Sequence, residues 1–340
     1  MAARLPPLAP GFPAPYNARM AALSDAPVPH VLELRQIHTG DLNLLLEEET
    51  AAWRAQLDWD FHPSADLVRR FVEMQALSGH CLMLGGRAIG YTYYVCEDRK
   101  GLIGDVYVAG EFRTPENETL LLSATLQALT KMPFVRRIES QLMMLGAPLD
   151  RPLPFWRWLR VHDRQFMEAD LSVVDRLPVR ATPDILYQPW TERAQEETAH
   201  LIPVAYRGHI DSQINDQYRS IPGARRFLLN IVQYPGCGSF FQAGSYVALE
   251  AGTGRVCGVC LASLVAPAVG HITQLCIDPS FKGTGVGYEL LRRSLTALAA
   301  EGCGKVSLTV TAANTEAIRL YDRLGFSTLR RFAAYVWEGF

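Results

Sequence analysis

The chain has 340 residues and a mass of 37.8 kDa, more than one ordinary domain and about right for two. Apolar residues make up 49% and charged ones 20%, so each half can bury a core and wholesale disorder is excluded. Lys plus Arg number 33 against 35 for Asp plus Glu, which argues against a protein that works by neutralising nucleic-acid phosphates. In chain order, residues 1–29 carry seven prolines, which break any signal-peptide core; they read as a flexible leader on a cytoplasmic, non-membrane protein. A strand at 30–36 precedes helical stretches at about 41–56 and 65–77, then strands at 81–84, 88–95 and 102–109. A helix at 116–131, a strand at 138–142 and a further helix complete the first half. The second half repeats the order: strand Ile185–Pro189, helical stretches at about 191–206 and 212–233, then strands at 245–250, 256–265 and 271–278. Next comes a helix with Leu290, Leu291, Leu295 and Leu298 on one face and Glu289, Arg292, Arg293 and Thr296 on the other. The β-branched strand Lys305–Thr311 reads as central, and a last helix at 314–324 is stopped by Gly325.

The parallel order reflects an internal repeat. Gly86-Arg87-Ala88-Ile89-Gly90 matches Gly254-Arg255-Val256-Cys257-Gly258 at an offset of 168. The same offset lays 102–109 onto 270–277, 116–131 onto 284–299 and 138–142 onto 306–310 without gaps. The expected organisation is two copies, 30–176 and 185–340, joined by a linker at 177–184 that holds Pro178 and Pro183. Seven scattered cysteines are no disulfide framework. Cys257 and Cys260, three apart on a strand, read as facing opposite sides, so they cannot share a metal, and none is expected.

The chemistry concentrates after the strand that ends at Asp278-Pro279. Gly283, Gly285 and Gly287 alternate in a turn that opens a helix, and free backbone N–H groups there suit a diphosphate. The spacing fits neither the dinucleotide fingerprint nor a nucleotide-triphosphate loop. The run Lys282-Gly283-Thr284-Gly285-Val286-Gly287, after the triplet Leu275-Cys276-Ile277, resembles the signature of the GNAT superfamily of acyl-CoA-dependent N-acyltransferases. Its second pattern follows as Asn314-Thr-Glu-Ala317-Ile-Arg-Leu-Tyr321-Asp-Arg-Leu-Gly325-Phe326. Lys282 departs from the family's Arg or Gln, keeping a donor but changing its geometry. The two-copy layout resembles that of the mycothiol synthases.

The resemblance implies an α/β fold of two tandem GNAT-like domains, each a mixed, mostly antiparallel twisted sheet flanked by helices. It implies acetyl-CoA as acyl donor, held by Lys282, Gly283, Thr284, Gly285, Val286, Gly287 and Tyr288, with Leu275, Cys276, Ile277 and Asn314 on the pantetheine arm. Tyr321 becomes the proton donor to the departing thiolate, since a phenol's pKa near 10 suits that task. His271 is the candidate base, with Glu250 the runner-up. Asp211 and Tyr206, in a polar and aromatic segment around Gly208, are candidates for holding the acceptor. That acceptor is a small-molecule amine or a peptide N-terminus, acetylated by direct attack on the thioester. A non-catalytic acyl-CoA sensor is the alternative, and Tyr321 distinguishes the two because a pure binder needs no proton donor. In the first copy Arg113-Thr-Pro115-Glu116-Asn-Glu118 stands where the glycine loop belongs, and acids there repel a diphosphate. Gly146 and Leu153 stand at the places of Asn314 and Tyr321, so the first copy reads as degenerate.

Overall fold

The computed structural model describes residues 27–340 apart from 147 and 235; most of the proline-rich leader lies outside them. The first half runs β1 (His30–Glu33), α1 (Thr39–Leu57), α2 (His62–Glu73), β2 (Ser78–Leu84), β3 (Arg87–Glu97), β4 (Lys100–Val108), α3 (Pro115–Thr130), β5 (Arg137–Gln141) and β6 (Leu159–Asp170). The second runs β7 (Ile185–Pro189), α4 (Gln195–Ala205), α5 (Asp211–Ile214), α6 (Ile221–Gln233), β8 (Ser239–Phe240), β9 (Tyr246–Glu250), β10 (Val256–Ala266), β11 (Val269–Ile277), α7 (Val286–Ala300), β12 (Lys305–Thr311), α8 (Thr315–Arg323) and β13 (Ser327–Glu338). Local chemistry sets the helix starts. Thr114 accepts from Asn117 N–H ahead of Pro115, Ser220 accepts from Gly223 N–H, and Asn314 accepts from Ala317 N–H.

Among the described residues one mixed sheet runs β1-β2-β3-β4-β5-β13-β6-β12-β11-β10-β9-β7, with β8 beside β10. Only β4 with β5 and β11 with β12 are parallel; the other pairs are antiparallel. The final strand of each half crosses over. β13 pairs with β5, from Ala334 opposite Gln141 to Glu338 opposite Arg137, and β6 pairs with β12, from Lys305 opposite Asp170 to Thr311 opposite Arg164. β6 and β13 then pair with each other at the centre, where Phe166, Phe332, Tyr335 and Trp337 are fully buried.

Four details depart from the sequence reading. No helix follows β5 among the described residues: 142–146 and 148–158 are loop with one short turn of 3₁₀ helix at Trp156–Trp158. Pro148, Pro152 and Pro154 each lack the N–H a helix needs there. The repeat also has a gap. β3 and β10 begin 169 residues apart and β5 and β12 168 apart, but α3 and α7 begin 171 apart, because six residues precede α3 and eight precede α7. The insertion falls in the glycine turn itself. A β-bulge between Val256 and Gly258 puts Cys257 and Cys260 in one core cluster rather than on opposite faces. Glu289 is buried at 1% exposure, not solvated, and pairs with Arg292 and Arg293.

Candidate active site

The groove originates in the sheet. β11 and β12 pair only from Val269 opposite Lys305 to Ile272 opposite Leu308. Beyond that point β12 bonds to β6 while Gln274–Ile277 bond only to β10, so the two parallel strands part. One edge of Leu275, Cys276 and Ile277 is thereby left without a strand partner. Leu275 and Ile277 are half-buried along the groove, whereas Cys276 turns into the core, where burial pushes its thiol up to about 12.

The glycine turn follows at once. Gly285 caps α7 at φ 95°, a left-handed conformation that favours glycine, and the first helical bond runs from Glu289 N–H to Gly285 O at 3.0 Å. The N–H groups of Val286, Gly287 and Tyr288 precede that bond and stay available to an anion. Val286 and Tyr288 offer only their amides: both side chains are buried, with the Tyr288 hydroxyl donating to Pro178 O at 3.0 Å. Lys282, Gly283 and Thr284 are exposed at the mouth. Arg180, absent from the sequence reading, lies over the Tyr288 ring at 4.9 Å and borders the same cleft.

α8 supplies the opposite lip. Asn314 is itself the cap of this helix, its Oδ1 accepting from Ala317 N–H at 3.2 Å, so only its amide N–H₂ remains for a ligand. Tyr321, two turns on, lines the cleft with its ring 5.8 Å from Phe326. Burial, then the Cys260 thiol and the Asp211 carboxylate, hold its phenol above its ordinary value, so it is protonated at neutral pH but is a weaker acid than the free phenol expected from the sequence.

Another part of the cleft is a polar cluster. Asp211 accepts from the Thr311 hydroxyl and lies 3.5 Å from Arg164 and 3.7 Å from His209. Arg164 comes from the exchanged strand β6 and also donates to Thr309 and Thr311 at 2.9 and 3.1 Å. Tyr206 stacks on Tyr218 at 4.3 Å and accepts from Gln274 Nε2 at 2.9 Å. Asp211, Tyr206 and Tyr321 thus share one cleft of about 1140 Å³.

The two base candidates fare differently. His271 borders the cleft, but it sits edge-on to Trp59 at 5.0 Å, stacks on Phe166 and bonds Ser307 Oγ at 2.9 Å. Burial depresses its pKa to about 3, far too low to take a proton from an ammonium. Glu250 is outside the cleft altogether: it ends β9 beside Ile185 and accepts from Thr253 at 2.6 Å.

The first half's equivalent groove is plugged by its own loop. β4 and β5 also part after Ile103 opposite Ser140. Glu118, in the first turn of α3 and 1% exposed, accepts from Gly146 N–H at 2.8 Å and pairs with Arg151 at 2.5 Å. The loop carries Leu145 and Leu153 into the core above.

Residues 215–326 match the Acetyltransferase (GNAT) family. That match takes in both the glycine turn and Tyr321. Over 70 residues the chain is 34% identical to the N-alpha-acetyltransferase MAK3 of Arabidopsis thaliana, covering 21% of this chain and 37% of that protein. Over 94 residues it is 36% identical to the mycothiol acetyltransferase of Thermobispora bispora, covering 26% and 31%. The chain thus matches about a third of the length of these relatives. A tandem GNAT protein from the clavulanic acid biosynthesis pathway superposes with a TM-score of 0.61 at 15% identity, covering 92% of this chain and 98% of that one, and so shares the fold. The parted strand edge, the glycine turn and Tyr321 all lie within the matched residues 215–326; the missed contributors Trp59 and Arg164 lie outside them. Trp59 sits in the aromatic run Trp59-Asp-Phe61, which had no family pattern to mark it.

Proposed function

We propose that the protein is an N-acetyltransferase that moves an acetyl group from acetyl-CoA to a primary amine, with its working site in the second half, 185–340, and a degenerate first half, 30–176. The observation that carries this reading is a protonated, buried Tyr321 in the same cleft as a parted strand edge and a glycine turn with three free N–H groups. The amides of Val286, Gly287 and Tyr288 hold the donor's diphosphate, with exposed Lys282 beside them. The free edge of Leu275–Ile277 and the amide of Asn314 align the pantetheine arm. The amine enters as its free base and its nitrogen forms the new bond to the thioester carbon. The carbon–sulfur bond breaks, the sulfur takes the electron pair, and Tyr321 supplies the proton that makes the leaving group a thiol. The proton lost from nitrogen leaves through the open cleft to solvent, since His271 is too weakly basic to hold it, and Tyr321 regains its own proton from the same solvent. The relatives' names, N-alpha-acetyltransferase and mycothiol acetyltransferase, support an amine acceptor, either a small molecule or a peptide N-terminus. Incubation with acetyl-CoA and a panel of primary amines, followed by free-thiol release, tests the proposal. Amine-dependent thiol release is expected; donor binding with no release across the panel would leave an acyl-CoA sensor instead.

A further inference from the structure

The cleft does not end at the second half. Its far wall is built by the first half from Trp53, Trp59, Phe61, Tyr93 and Asp105. The turn between α1 and α2 brings the aromatics there: Asp60 N–H donates to Val265 O of β10 at 2.8 Å, and Asp58 pairs with Lys305 of β12 at 2.7 Å. Trp53 stacks on Phe61 at 5.0 Å and leans on Trp59 at 5.8 Å. Tyr93 lies opposite Asp105 across β3 and β4, and its ring needs Gly104, where a Cβ would sit 2.1 Å away.

Asp105 is 4% exposed, and behind it Glu49 is fully buried, accepting from Tyr91 Oη at 2.6 Å and Trp53 Nε1 at 3.3 Å. Neither carboxylate forms an ion pair with a described residue; burial, then the neighbouring Asp105, raise Glu49 well above the usual carboxylate range, so Glu49 keeps its proton and hydrogen-bonds Asp105, whose Oδ1 also accepts from Val106 N–H at 2.7 Å. The pair therefore carries one negative charge, on Asp105, whose own carboxyl is raised by burial even with the Arg113 guanidinium nearby, and a cation bound at the cleft wall favours its ionised form. Aromatic faces attract the same charge.

We infer that this wall is a cation pocket that seats the second, non-reacting ammonium of a linear di- or polyamine acceptor. The inference rests on the transfer reading above and deepens it. The reacting nitrogen must be neutral to attack; Asp211, the carboxylate near Tyr321, is already matched by Arg164 and Thr311, whereas an unmatched carboxylate there would keep the nitrogen protonated. Asp105 therefore belongs with a nitrogen that stays charged, at the end of the cleft built by the first half. The methylenes between the two nitrogens lie along Trp59 and Phe61.

The test titrates the CoA-saturated chain with 1,3-diaminopropane, 1,4-diaminobutane, 1,5-diaminopentane and spermidine. Propyl-, butyl- and pentylamine are the single-charge controls, and binding is read by tryptophan fluorescence and calorimetry. At least one diamine should bind about ten-fold or more tightly than its monoamine counterpart. Asp105→Asn should erase that preference; should that variant fail to fold, Trp59→Leu, checked by its melting curve, should reduce it several-fold. Equal affinities for diamines and monoamines in the unaltered protein would overturn the pocket. Thiol release supported by monoamines without any diamine preference would remove the pocket and keep the transfer reading. Diamine preference without thiol release would do the reverse.

Discussion

Replacing Tyr321 by Phe removes one hydroxyl and leaves the ring. That ring is 8% exposed, packed 5.8 Å from Phe326 in the cluster that includes Leu324. No described residue is hydrogen-bonded to the hydroxyl, so no partner is orphaned by its loss. The expected stability change is within about 1 kcal/mol, a melting shift of no more than a few degrees for a chain of this size. Turnover is a different matter. A positioned proton donor to a leaving group contributes about 10²–10⁴-fold, which is about 3–5 kcal/mol on the barrier. The two effects therefore differ several-fold in energy and can be told apart. The assay is thiol release at saturating amine, with acetyl-CoA affinity measured calorimetrically on the same preparation. Affinity should hold, because the hydroxyl acts as charge develops on sulfur rather than in the ground state. Wild-type turnover in Tyr321→Phe, with chemistry rate-limiting, would refute the proton-donor role. A loss of activity that merely tracks a lowered melting temperature would refute it too.

Gly285→Glu places a side chain at φ 95°, 3.6 Å from Thr182 and 3.8 Å from Arg180, and puts a carboxylate where the diphosphate belongs. CoA binding should vanish while the fold loses only about 1 kcal/mol of stability to backbone strain; the unaltered chain should bind one CoA, and two sites would show that Glu118 and its loop do not plug the first half. His271, with a pKa of about 3 folded against about 6.5 unfolded, binds its proton more readily in the unfolded chain, so its contribution to stability is intact above pH 6.5 and is lost at up to about 1.4 kcal/mol per pH unit as pH falls toward 3. His271→Gln should flatten melting temperature against pH between 4 and 6.5, and parallel curves would contradict the assignment. Residues 177–340 expressed alone leave β12 without β6 and β13 without either partner, so they should show no cooperative melting by circular dichroism; a sharp transition would mean that the exchanged strands are dispensable.

The readable part of this chain was local. The glycine turn, the helix that follows it and the Asn314 to Tyr321 spacing sit within fifty residues and carry their chemistry in residue type and order. β6 and β13 were missed because their partners are far away in sequence. Arg160, Arg164, Arg330 and Arg331 interrupt their apolar residues, so neither shows the clean alternation of a strand with one wet face. Their burial comes from each other and from opposite halves. The failure of His271 as a base has the same origin. A histidine's intrinsic pKa suits catalysis, and only Trp59, 212 residues earlier, and Phe166, brought in by β6, enclose it and move that pKa. Glu289 read as a solvated helix face for want of the arginines that cover it; two of these are its own neighbours, but Arg180 N–H reaches it from the linker at 3.4 Å.

The exchange of strands ties the first half to the second whatever its own groove can hold. Each half alone would present an unpaired parallel strand, β5 or β12, at the edge of its sheet, and edges of that kind invite aggregation. The other half's last strand covers each one. The same crossover carries Arg164 to the Asp211 cluster and lets the turn after α1 reach His271 with Trp59. Once the two halves are interlocked, filling the first groove costs the second nothing, because Leu145 and Leu153 pack on the first half's own core and Gly146 bonds Glu118 of α3. What that half still supplies is one wall of the shared cleft. Acceptor recognition can therefore change through Trp53, Trp59, Phe61 and Asp105 without touching the glycine turn or Tyr321, and a cleft divided in this way separates the chemistry of transfer from the choice of amine.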